Sequence, residues 1–218
     1  MTTSNMTAEK TSARALFRSA YENRYTWPSS FPGYTADITY TVGDRTHSGT
    51  VRVNPDLKAE VFGIEDEQAH KEVAGQLFEI AIHRVRRAFE DTHGKNSFSF
   101  GETDDAGAKE ILLGGKSEGD RYKVNNNEVT MVHRHIHGIV VTIHTFSSHD
   151  TGEGYLSHQY DSVYHDPKTG VQKGGKSVFT DDYEKVSDYV ILNHRHIETT
   201  DEADKDIAFS NIQLLTAE

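Results

Sequence analysis

The chain has 218 residues, no cysteine and a formal net charge of −11 at pH 7 with neutral histidines. The lack of cysteine excludes disulfides, thiolate metal sites and cysteine nucleophiles. The net charge is negative and the sequence has no lysine- or arginine-rich stripe. Both features argue against nucleic acid or anionic lipid headgroups as partners. The length suits one large β domain, and a hydrophobic fraction of only 35% predicts a sheet with one face in water.

The start of the sequence has neither a basic segment nor an apolar stretch after it, so we expect no secretory signal. No apolar run approaches the roughly 18 residues that a transmembrane helix needs. The expected location is the cytoplasm, or the plastid stroma if a transit peptide was removed. We expect a small, polar, disordered tail at residues 1–11 and a single half-barrel-like domain at residues 12–218.

Two helices are predicted near the start of this domain. Ser12 is a suitable N-cap for the first, whose apolar residues recur at helical spacing from Ala13 to Tyr21. Asp66 is a suitable cap for the second, whose broad apolar stripe extends to residue 90.

The rest of the chain predicts β-strands joined by tight turns. The residues at 34–42 alternate between apolar and polar, and Gly43-Asp44 follows as a hairpin turn. Further long strands are predicted at 129–145, 155–165, 177–186, 189–198 and 207–215. Strands joined by short turns pair antiparallel, and twist curls a sheet of about nine to eleven strands. The predicted fold class is α+β: a large curved antiparallel sheet, or incomplete β-barrel, with two helices covering its concave face.

The 13 histidines are the most unusual feature of the composition. Two segments repeat almost letter for letter, His-Arg-His-Ile-His at 133–137 and His-Arg-His-Ile-Glu at 194–198. In a strand, alternate side chains share a face, so each segment is expected to present three potential ligands together. The six candidate metal ligands are His133, His135, His137, His194, His196 and Glu198.

Imidazole and carboxylate groups bind transition metals such as zinc, iron, copper or manganese. The sequence does not show that the two segments are neighbours, and His144, His149 and His158 between them are further candidates. One alternative is a histidine-rich surface without any metal. Another is pH sensing, because protonating all 13 histidines changes the net charge from −11 to about +2.

Other signatures of catalysis are missing from the sequence. It contains no phosphate loop, no dinucleotide-binding glycine fingerprint and no nucleophile elbow. Aromatic residues cluster between Tyr21 and Tyr34, where they indicate either core packing or the gate of a cavity. These features favour a binding protein over an enzyme.

Several long motifs carry a resemblance to known proteins. They are Ala20-Tyr-Glu-Asn-Arg-Tyr-Thr-Trp27, Ile82-His-Arg-Val-Arg-Arg87, Thr92-His-Gly-Lys-Asn96, the segment at 133–137, Thr151-Gly-Glu-Gly-Tyr-Leu-Ser-His158 and the run at 160–170. Over about residues 12–215 the chain resembles an uncharacterised family found mainly in cyanobacteria and plastid-bearing organisms. This resemblance implies no activity.

The order of elements also resembles the lipoprotein-carrier fold, an incomplete β-barrel wrapped around helices with a cavity for acyl chains. The segments at 183–198 and 207–215 resemble its last strands. This sequence departs from the carriers because it shows no export signal. The resemblance therefore implies a shape, a half-barrel with an apolar pocket, and not the role of ferrying lipoproteins.

Three functions remain open at this point. The first is a binding protein that holds a hydrophobic small molecule, such as a lipid, isoprenoid or pigment, between the sheet and the helices. The second is a metalloprotein or metal-dependent enzyme that uses the two histidine segments. The third is an assembly or structural factor without a small ligand. The sequence does not determine the oligomeric state.

Overall fold

The computed structural model describes residues 12–216, so the predicted disordered tail at residues 1–11 lies outside the described residues. Within that range the chain forms three helices and twelve strands. The helices are α1 (Ala13–Glu22), α2 (Glu67–Arg84) and α3 (Phe89–His93). The strands are β1 (Tyr34–Val42), β2 (Arg45–Val53), β3 (Ala59–Phe62), β4 (Asn96–Thr103), β5 (Lys109–Gly115), β6 (Arg121–Asn125), β7 (Glu128–Ile136), β8 (Ile139–Asp150), β9 (Tyr155–His165), β10 (Gln172–Val186), β11 (Tyr189–Thr199) and β12 (Lys205–Leu214).

All of these strands join one antiparallel sheet in the order β3-β2-β1-β12-β11-β10-β9-β8-β7-β6-β5-β4. β4 to β12 form a continuous meander, and β1 closes onto its last strand, with Ile38 opposite Phe209. The edge strands β3 and β4 are therefore consecutive in the chain, and the segment between them carries α2 and α3. The predicted large antiparallel sheet with few helices is confirmed, and its size and open order fit a curved half-barrel.

The predicted strand at 129–145 is wrong, because the chain turns back in its middle. His137 and Gly138 have φ angles of 49° and 80°, and they form a two-residue hairpin turn between β7 and β8. Positive φ at both central residues is typical of a type I′ turn, and histidine tolerates this backbone better than most residues. The missed turn also raises the strand count to twelve, above the predicted nine to eleven.

The helix caps are confirmed, but the predicted end of the second helix is wrong. Ser12 Oγ accepts a hydrogen bond from the Ala15 N–H at 3.1 Å, and Asp66 Oδ1 accepts one from the Ala69 N–H at 2.8 Å. α2 ends at Arg84 instead of residue 90, because the Arg84 carbonyl accepts a hydrogen bond from the Trp27 N–H at 2.9 Å. A tertiary contact thus replaces the next helical bond, and the residues beyond form the short α3.

The two faces of the sheet differ in what covers them. Tyr122 on β6 packs against Phe17 of α1, with ring centroids 4.5 Å apart. Leu77 of α2 is buried in a second cluster with Ile38 on β1 and Ile207 on β12. We call the side defined by Tyr122, Ile38, Ile207 and the strand residues in register with them the helix face, and the opposite side the outer face. No helix within residues 12–216 is long and apolar enough to cross a membrane.

Candidate functional site

The first histidine segment lies on the outer face of the sheet. Val132 pairs with Tyr122, which belongs to the helix face, so the neighbouring His133 points to the opposite side. His133 and His135 share this side, because they are two residues apart on β7. With His144 on β8 and His165 on β9, they line an open cavity of about 1000 Å³. We call it the outer cavity.

Two of these imidazoles are held by buried carboxylates. The Nδ1 atom of His135 lies 3.1 Å from Asp120 Oδ1, and that of His144 lies 3.0 Å from Asp161 Oδ1. Each aspartate also accepts the backbone N–H of its histidine, at 2.9 and 3.2 Å respectively. Because an ionised carboxylate only accepts hydrogen bonds, the Nδ1–H group is the donor in each of these contacts.

The electrostatics favour the neutral imidazole of His133 and the ionised carboxylate of Asp161. Burial, the Arg121 guanidinium and the neighbouring His135 lower the pKa of His133. Burial raises the pKa of the Asp161 carboxyl, but hydrogen bonds from Lys176 and His144 outweigh it and leave that pKa below its usual value. The Nδ1 atom of His133 lies 2.9 Å from the hydroxyl of Thr142.

The second histidine segment also lies on the outer face, but both nitrogens of its imidazoles face carboxylates. His194 places Nε2 at 3.1 Å from Asp206 and Nδ1 at 3.6 Å from Asp182. His196 places Nδ1 at 3.0 Å from Asp206 and Nε2 at 3.4 Å from Glu198. Burial lowers the pKa of His196, but the hydrogen bond and charge of Asp206 outweigh it and raise that pKa.

The structure does not bring the six predicted metal ligands to one point. β7 and β11 are separated by β8, β9 and β10, so His135 and His196 are roughly 19 Å apart at the usual strand spacing. His137 does not share a strand face with His133, because it lies in the hairpin turn. Residues 12–216 contain no group of three or more histidine, cysteine or acidic side chains spaced to hold a metal ion. The metal assignment stays a prediction.

A second cavity, of about 470 Å³, lies on the helix face between α2 and the strands. We call it the inner cavity. The side chains of Phe179, Ile197 and Ile207 supply apolar lining, and Glu72 and Lys205 supply charge. Gly75 of α2 faces it, and a Cβ atom added at Gly75 would meet no heavy atom within 4 Å. The volume is in the range of small-molecule sites.

A buried ion pair lies close to the inner cavity. The Arg195 guanidinium binds Asp181 through both carboxylate oxygens, at 2.7 and 2.6 Å. It also donates to the Tyr160 hydroxyl at 2.9 Å and to Gln76 of α2 at 2.9 Å. These hydrogen bonds and the ion pair offset the free-energy cost of burying the guanidinium charge. The network links α2 to the sheet and contributes Gln76 to the cavity lining.

The side of α2 that carries Gly75 also exposes apolar residues. Phe78 is 66% exposed and Ile82 is 38% exposed. Both lie on the helical stripe of Gly75, three and seven residues further along. Tyr164, which lines the inner cavity from β9, is 40% exposed. An exposed group of large apolar side chains next to a cavity is typical of a binding surface.

The family described as "Protein of unknown function (DUF3386)" matches residues 8–215. The chain belongs to the DUF3386 family. This confirms the predicted membership of a family without assigned function, and the expected occurrence of the family mainly in cyanobacteria stays a prediction. No curated protein matches the chain.

Two solved structures share a distant likeness with this DUF3386 chain. One is a putative outer membrane lipoprotein-sorting protein domain from Vibrio parahaemolyticus, with a TM-score of 0.39 and 10% identity over 93% of this chain and 92% of that one. The other is a DUF1329 family protein from Desulfovibrio piger, with a TM-score of 0.32 and 8% identity over 96% and 95% of the two chains. Likenesses this distant carry no argument about function.

Sequence reasoning missed most of the side chains that line the inner cavity. Gly75 lies in an otherwise regular helical pattern, and an unexplained helix glycine was the one local signal available. Arg195 was identified only as a residue between two histidines, and Asp181 was not singled out. Their pairing depends on the register of β10 and β11, which the sequence does not show.

Proposed function

We propose that the protein binds a small molecule with an apolar body, such as a lipid, isoprenoid or pigment, in the inner cavity. The observation that carries this proposal is the open space of about 470 Å³ between α2 and the sheet, with apolar side chains along it. The exposed Phe78 and Ile82 extend the apolar surface along the helix beyond the cavity. Burying apolar ligand surface against such groups is favourable by about 25 cal/mol per Å².

The polar groups of the inner cavity suggest how the ligand is oriented. Glu72 accepts a hydrogen bond from the Tyr40 hydroxyl, and its carboxylate lies 3.5 Å from Lys205 Nζ. These groups are already paired with one another, so they accommodate a neutral or zwitterionic polar end more readily than a single unpaired charge. The proposed role is binding and not catalysis, and the helices then act as one wall of a half-barrel pocket.

The proposal is tested by filling the cavity from Gly75. A fluorescent long-chain fatty-alcohol analogue, whose polar end is uncharged, is titrated into the wild-type protein and into the Gly75→Leu variant. The leucine side chain occupies the cavity. We therefore expect the Kd of the variant for this probe to be at least about tenfold higher than that of the wild type, which corresponds to a loss of about 1.4 kcal/mol in binding free energy. The substitution improves helix propensity by about 0.8 kcal/mol, so weaker binding would not result from loss of the helix.

Gly75→Ala is the matched control, because it brings a similar gain in helix propensity but adds only one carbon atom. We expect it to retain binding. Native mass spectrometry of the untagged protein gives a second readout, in which a bound molecule adds several hundred daltons that survive a chelator. Equal affinities of Gly75→Leu and Gly75→Ala, or no binding by the wild type, would contradict the proposal.

A further inference from the structure

One polar side chain of the inner cavity has a fixed orientation. Gln76 of α2 lines this cavity, and its side-chain oxygen accepts a hydrogen bond from Arg195 at 2.9 Å. A guanidinium group only donates hydrogen bonds, so the oxygen of the amide, and not its nitrogen, faces Arg195. Among residues 12–216, no protein hydrogen bond uses the NH2 group of Gln76. This NH2 group is therefore the part of the side chain that is available to a ligand.

The support behind Gln76 is rigid. Arg195 is only 4% exposed, and it binds both oxygens of Asp181 and the hydroxyl of Tyr160. Leu77, the next residue on α2, is 1% exposed and anchors the helix in the core. The amide of Gln76 is thus positioned before any ligand binds. A binding group that is already ordered adds affinity and specificity without a further entropic cost of ordering.

We propose that Gln76 recognises an uncharged acceptor oxygen, such as a carbonyl or hydroxyl oxygen, at the polar end of the molecule in the inner cavity. This inference rests on the proposed function and names the class of its ligand: an apolar molecule that carries a ketone, aldehyde, ester or alcohol group. The NH2 group of Gln76 donates the hydrogen bond. A ligand without such an oxygen would exclude water and leave the N–H groups unpaired, which is unfavourable.

The charges around the inner cavity favour an uncharged oxygen over an anionic one. Three cations at or beside the cavity are paired with five carboxylates: Arg195 with Asp181 and Glu79 at 2.6 and 4.0 Å, Lys205 with Glu72 and Glu202 at 3.5 and 3.6 Å, and Lys173 with Asp166 at 3.0 Å. A carboxylate or phosphate on the ligand would meet more negative than positive charge in these pairs, and like charges repel. An ammonium group cannot accept the hydrogen bond of Gln76, because it only donates.

The apolar lining adjoins the polar group. Phe179 and Ile197 line the cavity. The ring of Phe179 stacks on Tyr160, with centroids 4.7 Å apart, and its centroid lies 5.5 Å from the guanidinium carbon of Arg195. Because Arg195 also binds Gln76, a molecule with an oxygen at one end of an apolar body contacts the apolar and polar parts of the site together.

Two fluorescent long-chain probes that differ by one oxygen test the proposal. One ends in a methyl ketone, whose oxygen only accepts hydrogen bonds, and the other has a methylene group in place of the carbonyl. The measured quantity is the ratio of the Kd of the hydrocarbon probe to the Kd of the ketone probe. We expect Gln76→Met to lower this ratio at least about fivefold relative to the wild type, because the ketone then lacks its donor.

Gln159→Met is the matched control, because it is the same substitution on the exposed, opposite side of β9, and we expect the ratio to change less than twofold. Gln76→Glu keeps an acceptor for Arg195 but has no N–H donor, so we expect it to lower the ratio as Gln76→Met does. Circular dichroism shows whether each variant is folded.

A general disturbance of the cavity would weaken both probes equally and leave the ratio unchanged. Binding of both probes with a ratio that Gln76→Met and Gln76→Glu do not alter would overturn this inference and leave the proposed function intact. No binding of either probe by the wild type would overturn both proposals.

Discussion

The same four residues, His-Arg-His-Ile, occur on β7 and on β11 and have different surroundings. On β11, Arg195 is buried and forms a bidentate ion pair with Asp181, and both nitrogens of His196 face carboxylates. On β7, Arg134 is about half exposed, and its nearest carboxylate, Asp120, is 3.8 Å away. His135 has one nitrogen held by the same aspartate.

The comparison shows that the partners across the sheet decide what such a segment does. On β11 the carboxylates occupy the imidazoles completely, and the arginine anchors α2 to the sheet through Gln76. On β7 one nitrogen of each imidazole has a partner, the Thr142 hydroxyl for His133 and the Asp120 carboxylate for His135, and both side chains line the outer cavity. The β11 segment is therefore paired on both nitrogens of its imidazoles, whereas the β7 segment is paired on one.

The largest expected effect comes from the two arginines. Arg195→Leu leaves the carboxylate of Asp181 buried without its partner, and we expect a loss of about 3–5 kcal/mol in the free energy of unfolding. Arg134→Leu, at the equivalent position of β7, is expected to cost less than about 1 kcal/mol, because Arg134 forms only a long, partly exposed ion pair. Urea unfolding followed by circular dichroism measures both. Similar losses in the two variants would remove the contrast.

A smaller, pH-dependent effect is expected for His196. Asp206 raises the pKa of His196 in the folded protein despite its burial. The interaction therefore stabilises the fold fully below the unfolded pKa of about 6.5, and its contribution disappears as the pH rises through the folded pKa. We expect His196→Ala to reduce stability by about 1 kcal/mol at pH 5.5 and by much less at pH 8.5. A loss of stability that does not depend on pH would show that the contribution of His196 comes from packing and not from its charge.

The smallest effect concerns chemical reactivity and leaves the fold intact. Diethyl pyrocarbonate modifies unprotonated imidazole nitrogens that are accessible to the reagent. We expect His133, His135 and His144 to be modified faster than His194 and His196, whose nitrogens face carboxylates on both sides. Peptide mass spectrometry at short reaction times gives the order. Faster modification of His194 or His196 would contradict the assignment of free nitrogens to β7.

Local features were predictable because their causes lie within a few residues. The caps at Ser12 and Asp66 depend on N–H groups three residues ahead. The strand at 34–42 and its Gly43-Asp44 turn follow from alternation and from the turn residues, and the structure has this hairpin. The sequence also indicated that each histidine segment would present alternate side chains on one face, which holds as far as the strand continues.

Features that depend on residues distant in the chain could not be predicted from the sequence. The end of α2 depends on Trp27, which precedes Arg84 by more than fifty residues. Which nitrogens of a histidine are paired depends on aspartates outside its own strand, 15 residues away for His135 and 10 for His196. The kind of sheet therefore follows from alternation and turn residues, and the metal assignment of the histidine segments stays a prediction. Strand register determined which histidines share a cavity and which are fully paired, because register fixes the partners across the sheet.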